Sequence, residues 1–176
     1  MIDGLKNLTA KRMYDVEILH ALHRGDEATA QEILNRILNS PEYLFDEYVI
    51  DNRLDDVIAC APQCSDAAIT RGVHAAIVHR PVNPDILCAI LPHTELSTRH
   101  YALELACQRD ISAAIDILYP LCDIPRVVEN LSHANYQRER CLFWATALQQ
   151  RMDAEKLRET LTAQLPSLPQ TPQRKI

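Results

Sequence analysis

The sequence predicts an all-α fold of stacked helix-turn-helix units, and three observations lead to it. First, a phrase recurs in which an apolar helical run ends on arginine and a second run closes on Ile-Leu. Its copies are Ala21-Leu22-His23-Arg24 before Glu32-Ile33-Leu34, Ala76-Ile77-Val78-His79-Arg80 before Asp85-Ile86-Leu87, and Leu105-Ala106-Cys107-Gln108-Arg109 before Asp116-Ile117-Leu118. Degenerate repeats of about 20 to 50 residues mark small units that share one continuous core. Second, the only glycines are Gly4, Gly25 and Gly72, too few for two-residue hairpins, which depend on positive φ. Third, apolar residues recur at helical spacing in runs punctuated by prolines.

Taken in order, a first helix starts near Leu8-Thr9 and carries Met13, Val16, Ile18, Leu19 and Leu22 on one stripe. Gly25-Asp26 supplies a turn and an N-cap for a second helix with Ile33, Leu34, Ile37 and Leu38 on one face. The next pair uses Ser40-Pro41 as cap and first residue, runs to about Asp51, and returns from Leu54 to Ala61, stopped by Pro62. Ser65-Asp66 opens the third pair, which reaches about His79, breaks at Pro81 and Pro84, and ends at Pro92. A fourth begins at Thr94 or Ser97-Thr98, turns at Arg109-Asp110 and returns to Tyr119 before Pro120.

The marker arginines Arg24, Arg53, Arg80, Arg109 and Arg151 are spaced by about 29, 27, 29 and then 42 residues. The long last step predicts an inserted helix or cap between Asp123 and Gln137, ahead of an apolar helix around Cys141 to Leu148. A last helix from Asp153 to about Leu165, polar on one side, has the character of a water-facing terminal cap. These boundaries give one helical-repeat domain over 1–165 and a flexible Pro-rich tail over 166–176.

Composition narrows the function classes. At 176 residues one cooperative domain is the default. A formal charge of −6 disfavours nucleic acid and anionic membranes as partners, because both demand concentrated Lys and Arg. The six cysteines sit mostly within apolar runs, as buried small hydrophobes do, and no long apolar stretch approaches a membrane span. A cytoplasmic protein is expected; export into a host as a bacterial effector by a non-Sec route would leave the same signature.

In Thr98-Arg-His-Tyr-Ala-Leu-Glu-Leu-Ala-Cys-Gln-Arg-Asp-Ile-Ser-Ala-Ala-Ile-Asp-Ile-Leu-Tyr-Pro-Leu-Cys-Asp123, the first helix with its small Ala106, the turn at Asp110 and the Ile-Leu ending resemble an ankyrin repeat. His23-Arg24-Gly25-Asp26 is similar to the Gly-containing helix turn of that family. The resemblance covers roughly residues 10 to 123, with a period shorter than the family's 33 and without its Thr-Pro-Leu-His signature. It implies an ankyrin-like solenoid with a helical C-terminal cap, and a surface that binds another protein.

No catalytic constellation emerges. His20 with His23, His74 with His79, and Cys60 with Cys64 fall short of the four compact ligands of a structural zinc site, so no metal or other cofactor is expected. Cys60, Cys107 and Cys141 lack any local feature that would activate a thiol, which leaves a cysteine-dependent enzyme in an atypical helical fold as the alternative class. A structural subunit of a homo-oligomer is the third. For the interaction module, the candidate partner-binding positions are His20, His74, Arg99, Tyr101 and Glu104 on first helices, with Arg80 and Arg109 from the arginine column. The arginine column is better accounted for by cations near first-helix C-termini, where they complement the dipole, than by a basic binding ladder.

Overall fold

A computed structural model describes residues 16–79 and 81–164, and every regular element among them is helical. The chain forms two compact units that divide between Leu121 and Cys122, within the stretch where the arginine spacing lengthens. The predicted start of the first helix, Arg80, and the Pro-rich tail lie outside the described residues.

The first unit contains α1 (Val16–His23), α2 (Glu27–Leu38), α3 (Pro41–Ile50), α4 (Leu54–Cys60), α5 (Asp66–Val78), α6 (Pro84–Ile90), α7 (Leu96–Arg109) and α8 (Ser112–Leu118). Helices α3, α5 and α7 pack successively in one layer, and α4, α6 and α8 in another. Each pair, α3 with α4, α5 with α6 and α7 with α8, bridges the two layers, while α1 and α2 pack on each other and α2 reaches α3. Between the layers lie Phe45 and Val49, Val57, Ile69 and Val73, Ile86 and Leu87, Leu103, and Ile115 with Leu118, all buried. At roughly 1.5–3 kcal/mol for each fully buried large apolar side chain, this seam is the main source of stability.

Predicted caps are in place. The Thr29 N–H donates to Asp26 Oδ1 at 3.1 Å, Tyr43 N–H to Ser40 Oγ at 3.2 Å, and Ala68 N–H to Ser65 Oγ at 3.3 Å. Glu42, in the first turn of α3, ties the start of α5 to α3: its carboxylate accepts from the Ser65 N–H at 2.9 Å and the Ser65 hydroxyl at 2.5 Å.

Three of the turns between paired helices share one construction. At Gly25, Asn52 and Asp110 the backbone is left-handed, with φ of 72°, 56° and 58°. In each, that residue's N–H bonds three residues back and the next N–H five back: to Leu22 and Ala21, to Val49 and Tyr48, and to Cys107 and Ala106. This doubly bonded C-terminal motif satisfies carbonyls that would otherwise be orphaned. Glycine is the usual occupant, but Asn and Asp tolerate the conformation, so a chain with little glycine still makes the turn. Asp26 follows Gly25 directly, and the Arg24-Gly25-Asp26 tripeptide is spent on this turn and its cap.

The second α-helices end just ahead of Pro62, Pro92 and Pro120, as expected, but the chain keeps turning past each of them. Pro62, Pro92 and Pro120 lie inside short 3₁₀ turns, Ala61–Gln63, Leu91–His93 and Tyr119–Leu121, which continue α4, α6 and α8. Proline at the opening of a tighter turn gives up an N–H that the change of helix type already leaves unpaired.

Gly72 marks a close approach. A Cβ built there would overlap the Phe45 ring, so the missing side chain on α5 is what admits this fully buried aromatic from α3.

The second unit contains α9 (Ile124–Ser132) and α10 (Arg138–Gln164), which pack on each other. Helix α9 is the insertion that the lengthened spacing predicts. Its buried side chains are Ile124, Val127 and Leu131; those of α10 are Cys141, Ala145 and Leu148. The two helices predicted around Cys141 and from Asp153 are one continuous helix. No breaker separates them, and Asp153, instead of capping, accepts from Gln149 Nε2 one turn earlier at 3.1 Å. Arg151 therefore lies mid-helix beside Glu155 at 3.4 Å and does not mark a helix end.

Candidate functional site

Stacking of α3, α5 and α7 creates an open depression of about 380 Å³ on the first-helix layer. Asp46 and Ile50 come from α3, Thr70, Arg71, His74 and Ala75 from α5, His79 from the residue after α5, and Tyr101 from α7. The imidazole of His74 lies near-parallel to the Tyr101 ring, with centroids 6.5 Å apart and an interplanar angle of 14°. Thr70 and Thr98 hydroxyls meet at 3.3 Å across the same two helices, and they are 28 residues apart, the interval of the sequence repeat.

Arg71 Nη2 donates to the Glu42 backbone carbonyl at 3.1 Å, and its buried Nε has no hydrogen-bond partner. The His74 imidazole is held below its ordinary pKa, first by partial burial and then by the positive fields of Arg109 and His79. The groove thus offers two stacked rings with polar edges, a guanidinium, an aliphatic wall at Ile50 and one carboxylate. That is a mixed polar and apolar surface, with Tyr101 and Arg71 among its lining residues.

Of the predicted positions, the structure brings His74 and Tyr101 together. Arg109 ends α7, is not among the groove-lining residues, and its charge acts on His74. Glu104 is half-buried one turn beyond Tyr101 and is not among the groove-lining residues. His20 is exposed in the last turn of α1, away from this groove, and Arg80 lies outside the described residues.

Arg99 serves a different structure. Its Nε donates to Thr94 Oγ1 at 2.9 Å and its Nη2 to the carbonyls of Thr94 at 3.0 Å and Leu91 at 3.2 Å, locking the turn that joins α6 to α7. With Leu91, Pro92, Ile117 and Leu121 it also lines a more apolar depression on the second-helix side.

Sequence reasoning missed Asp46, Ile50, Thr70 and Arg71. For Asp46 the signal was available: it precedes His74 by about one repeat interval, as His74 precedes Tyr101, so stacked first helices bring such positions into one column.

The cysteines do not converge on this site. Cys107 and Cys141 are buried, and burial raises the thiol pKa of Cys60. Cys64 is pushed up to about 11 by burial and the nearby Glu42 carboxylate, which suppresses the thiolate a nucleophile needs. Among the described residues no three His, Cys, Asp or Glu side chains gather as a metal-ligand set, and no helix is long and apolar enough to cross a membrane. No protein-family model, curated protein or solved structure matches this chain.

Proposed function

We propose that the chain is a protein-protein interaction module, an ankyrin-like stack of helix pairs that holds a segment of another protein in the first-helix groove. The observation that carries this reading is the His74–Tyr101 pair: two near-parallel rings from the neighbouring helices α5 and α7, in a depression that Arg71 and Ile50 also line. Interfaces draw most of their energy from a few such aromatic and arginine anchors. The nearest-neighbour packing of α3 to α8, with the same backbone turn recurring between paired helices, supports the ankyrin-like description.

The test is site-specific photocrosslinking from position 101 in cells, followed by affinity measurement with the captured protein. Tyr101→Ala is expected to weaken that complex at least tenfold, since hot-spot truncations cost about 2 kcal/mol or more. Crosslinks that arise from α4, α6 or α8 and never from position 101 would remove the proposal.

A further inference from the structure

Helix α10 carries two apolar faces, and α9 covers one. Cys141, Ala145 and Leu148 are buried; on the opposite side run Phe143, Ala147, Gln150, Ala154, Leu157 and Leu161, spaced alternately four and three residues apart. Phe143 is 63% exposed, Leu157 60% and Leu161 54%, in a protein whose other large apolar residues are mostly inside. From Gln150 to Ala163 every side chain is exposed except the half-buried Met152. A helical stretch of that length without tertiary cover is marginal on its own in water.

Alternate spacing of four and three is the a/d seam of a coiled coil, and the flanking charges select the partner. With Ala147, Ala154 and Leu161 at a, and Phe143, Gln150 and Leu157 at d, Asp153 falls at g and Arg158 at e of the next heptad. In a parallel in-register pair these two positions face each other across the seam, twice by symmetry. An antiparallel pair would instead set e positions against each other, and those are Trp144, Arg151 and Arg158, with Arg151 brought close to its own copy. Gln150, the single polar core residue, meets its own copy in the parallel register, where the two amides can hydrogen-bond.

We propose that this face of α10 is a self-association surface, on which a second copy of the chain docks as a parallel two-stranded coiled coil. The inference is independent of the first-helix groove.

Sedimentation velocity on the full chain across a micromolar concentration series tests it. A species of twice the 20.0 kDa chain mass is expected. Leu157→Asp with Leu161→Asp should abolish it while circular dichroism of the remaining helices persists. Arg158→Asp should weaken dimerisation at least tenfold by opposing two acids, and adding Asp153→Arg should restore it. Ala147→Cys should crosslink to position 147 of the second copy. A monomer at every concentration, a dimer indifferent to the leucine changes, or crosslinks that map 147 to the far end of the helix would each overturn the proposal.

Discussion

Gly72 lies in the interior of α5, where replacing glycine by alanine ordinarily stabilises a helix by about 1 kcal/mol. Here the sign reverses, because the added methyl meets the buried Phe45 ring. Gly72→Ala is expected to lower stability by about 1–3 kcal/mol, the usual cost of overpacking, read from the midpoint of urea unfolding. A rise in midpoint would mean that the ring yields. His74 offers a second residue-level test. Its pKa in the folded chain is lowered from 6.5, so the unfolded chain takes up the proton first as pH falls. Stability should therefore decline below about pH 6.5 and level off once the folded imidazole is also protonated, and His74→Gln should remove that part of the slope. NMR titration of the His74 ring, with a midpoint under 6.5, checks the cause directly. At this scale the caps Asp26, Ser40 and Ser65 were legible because serine and aspartate before an apolar run have few other uses. The turn at Asp110 was legible too, whereas the left-handed Asn52 was not singled out, since Asn tolerates a positive φ without requiring one.

Among the elements, the junction between α6 and α7 depends on one side chain. Arg99 satisfies the carbonyls of Leu91 and Thr94 and the Thr94 hydroxyl together, a planar fork that lysine cannot reproduce. Arg99→Ala is expected to cost about 1–3 kcal/mol in thermal or urea unfolding, and Arg99→Lys to recover only part of it. Binding through the first-helix groove should be unchanged, which separates this role from partner contact. Sequence periodicity found most of these helices, because a buried stripe repeats every three to four residues. It failed where two kinds of buried or exposed face share one helix. In α10 apolar residues occur on opposite sides, so no single stripe marks its length, and the acidic Asp153 imitates a cap.

For the whole molecule, the repeat interval was the most informative quantity, since it fixes which positions share a column. The 28-residue separation of the bonded Thr70 and Thr98 is that interval made physical. What the interval could not choose was the working face, because α7 is buried on several sides and its candidates Arg99 and Tyr101 belong to different surfaces. Thiol labelling across the chain discriminates the interaction module from a cysteine enzyme. Exposed Cys88 should react first with a maleimide at neutral pH, Cys64 slowly for want of thiolate, and Cys107 and Cys141 only on unfolding. One cysteine labelling orders of magnitude faster than Cys88 would favour catalysis instead.

The layered packing also decides how the first unit comes apart. Each helix of a layer touches its immediate neighbours, so opening one end removes the contacts of that end alone. The α1–α2 pair joins the rest chiefly through α3, whereas α5 has a neighbour on both sides. Amide hydrogens of α1 and α2 should accordingly exchange by local opening, well before those of α5. On that expectation the groove, centred on α5, keeps its shape while the α1–α2 edge breathes.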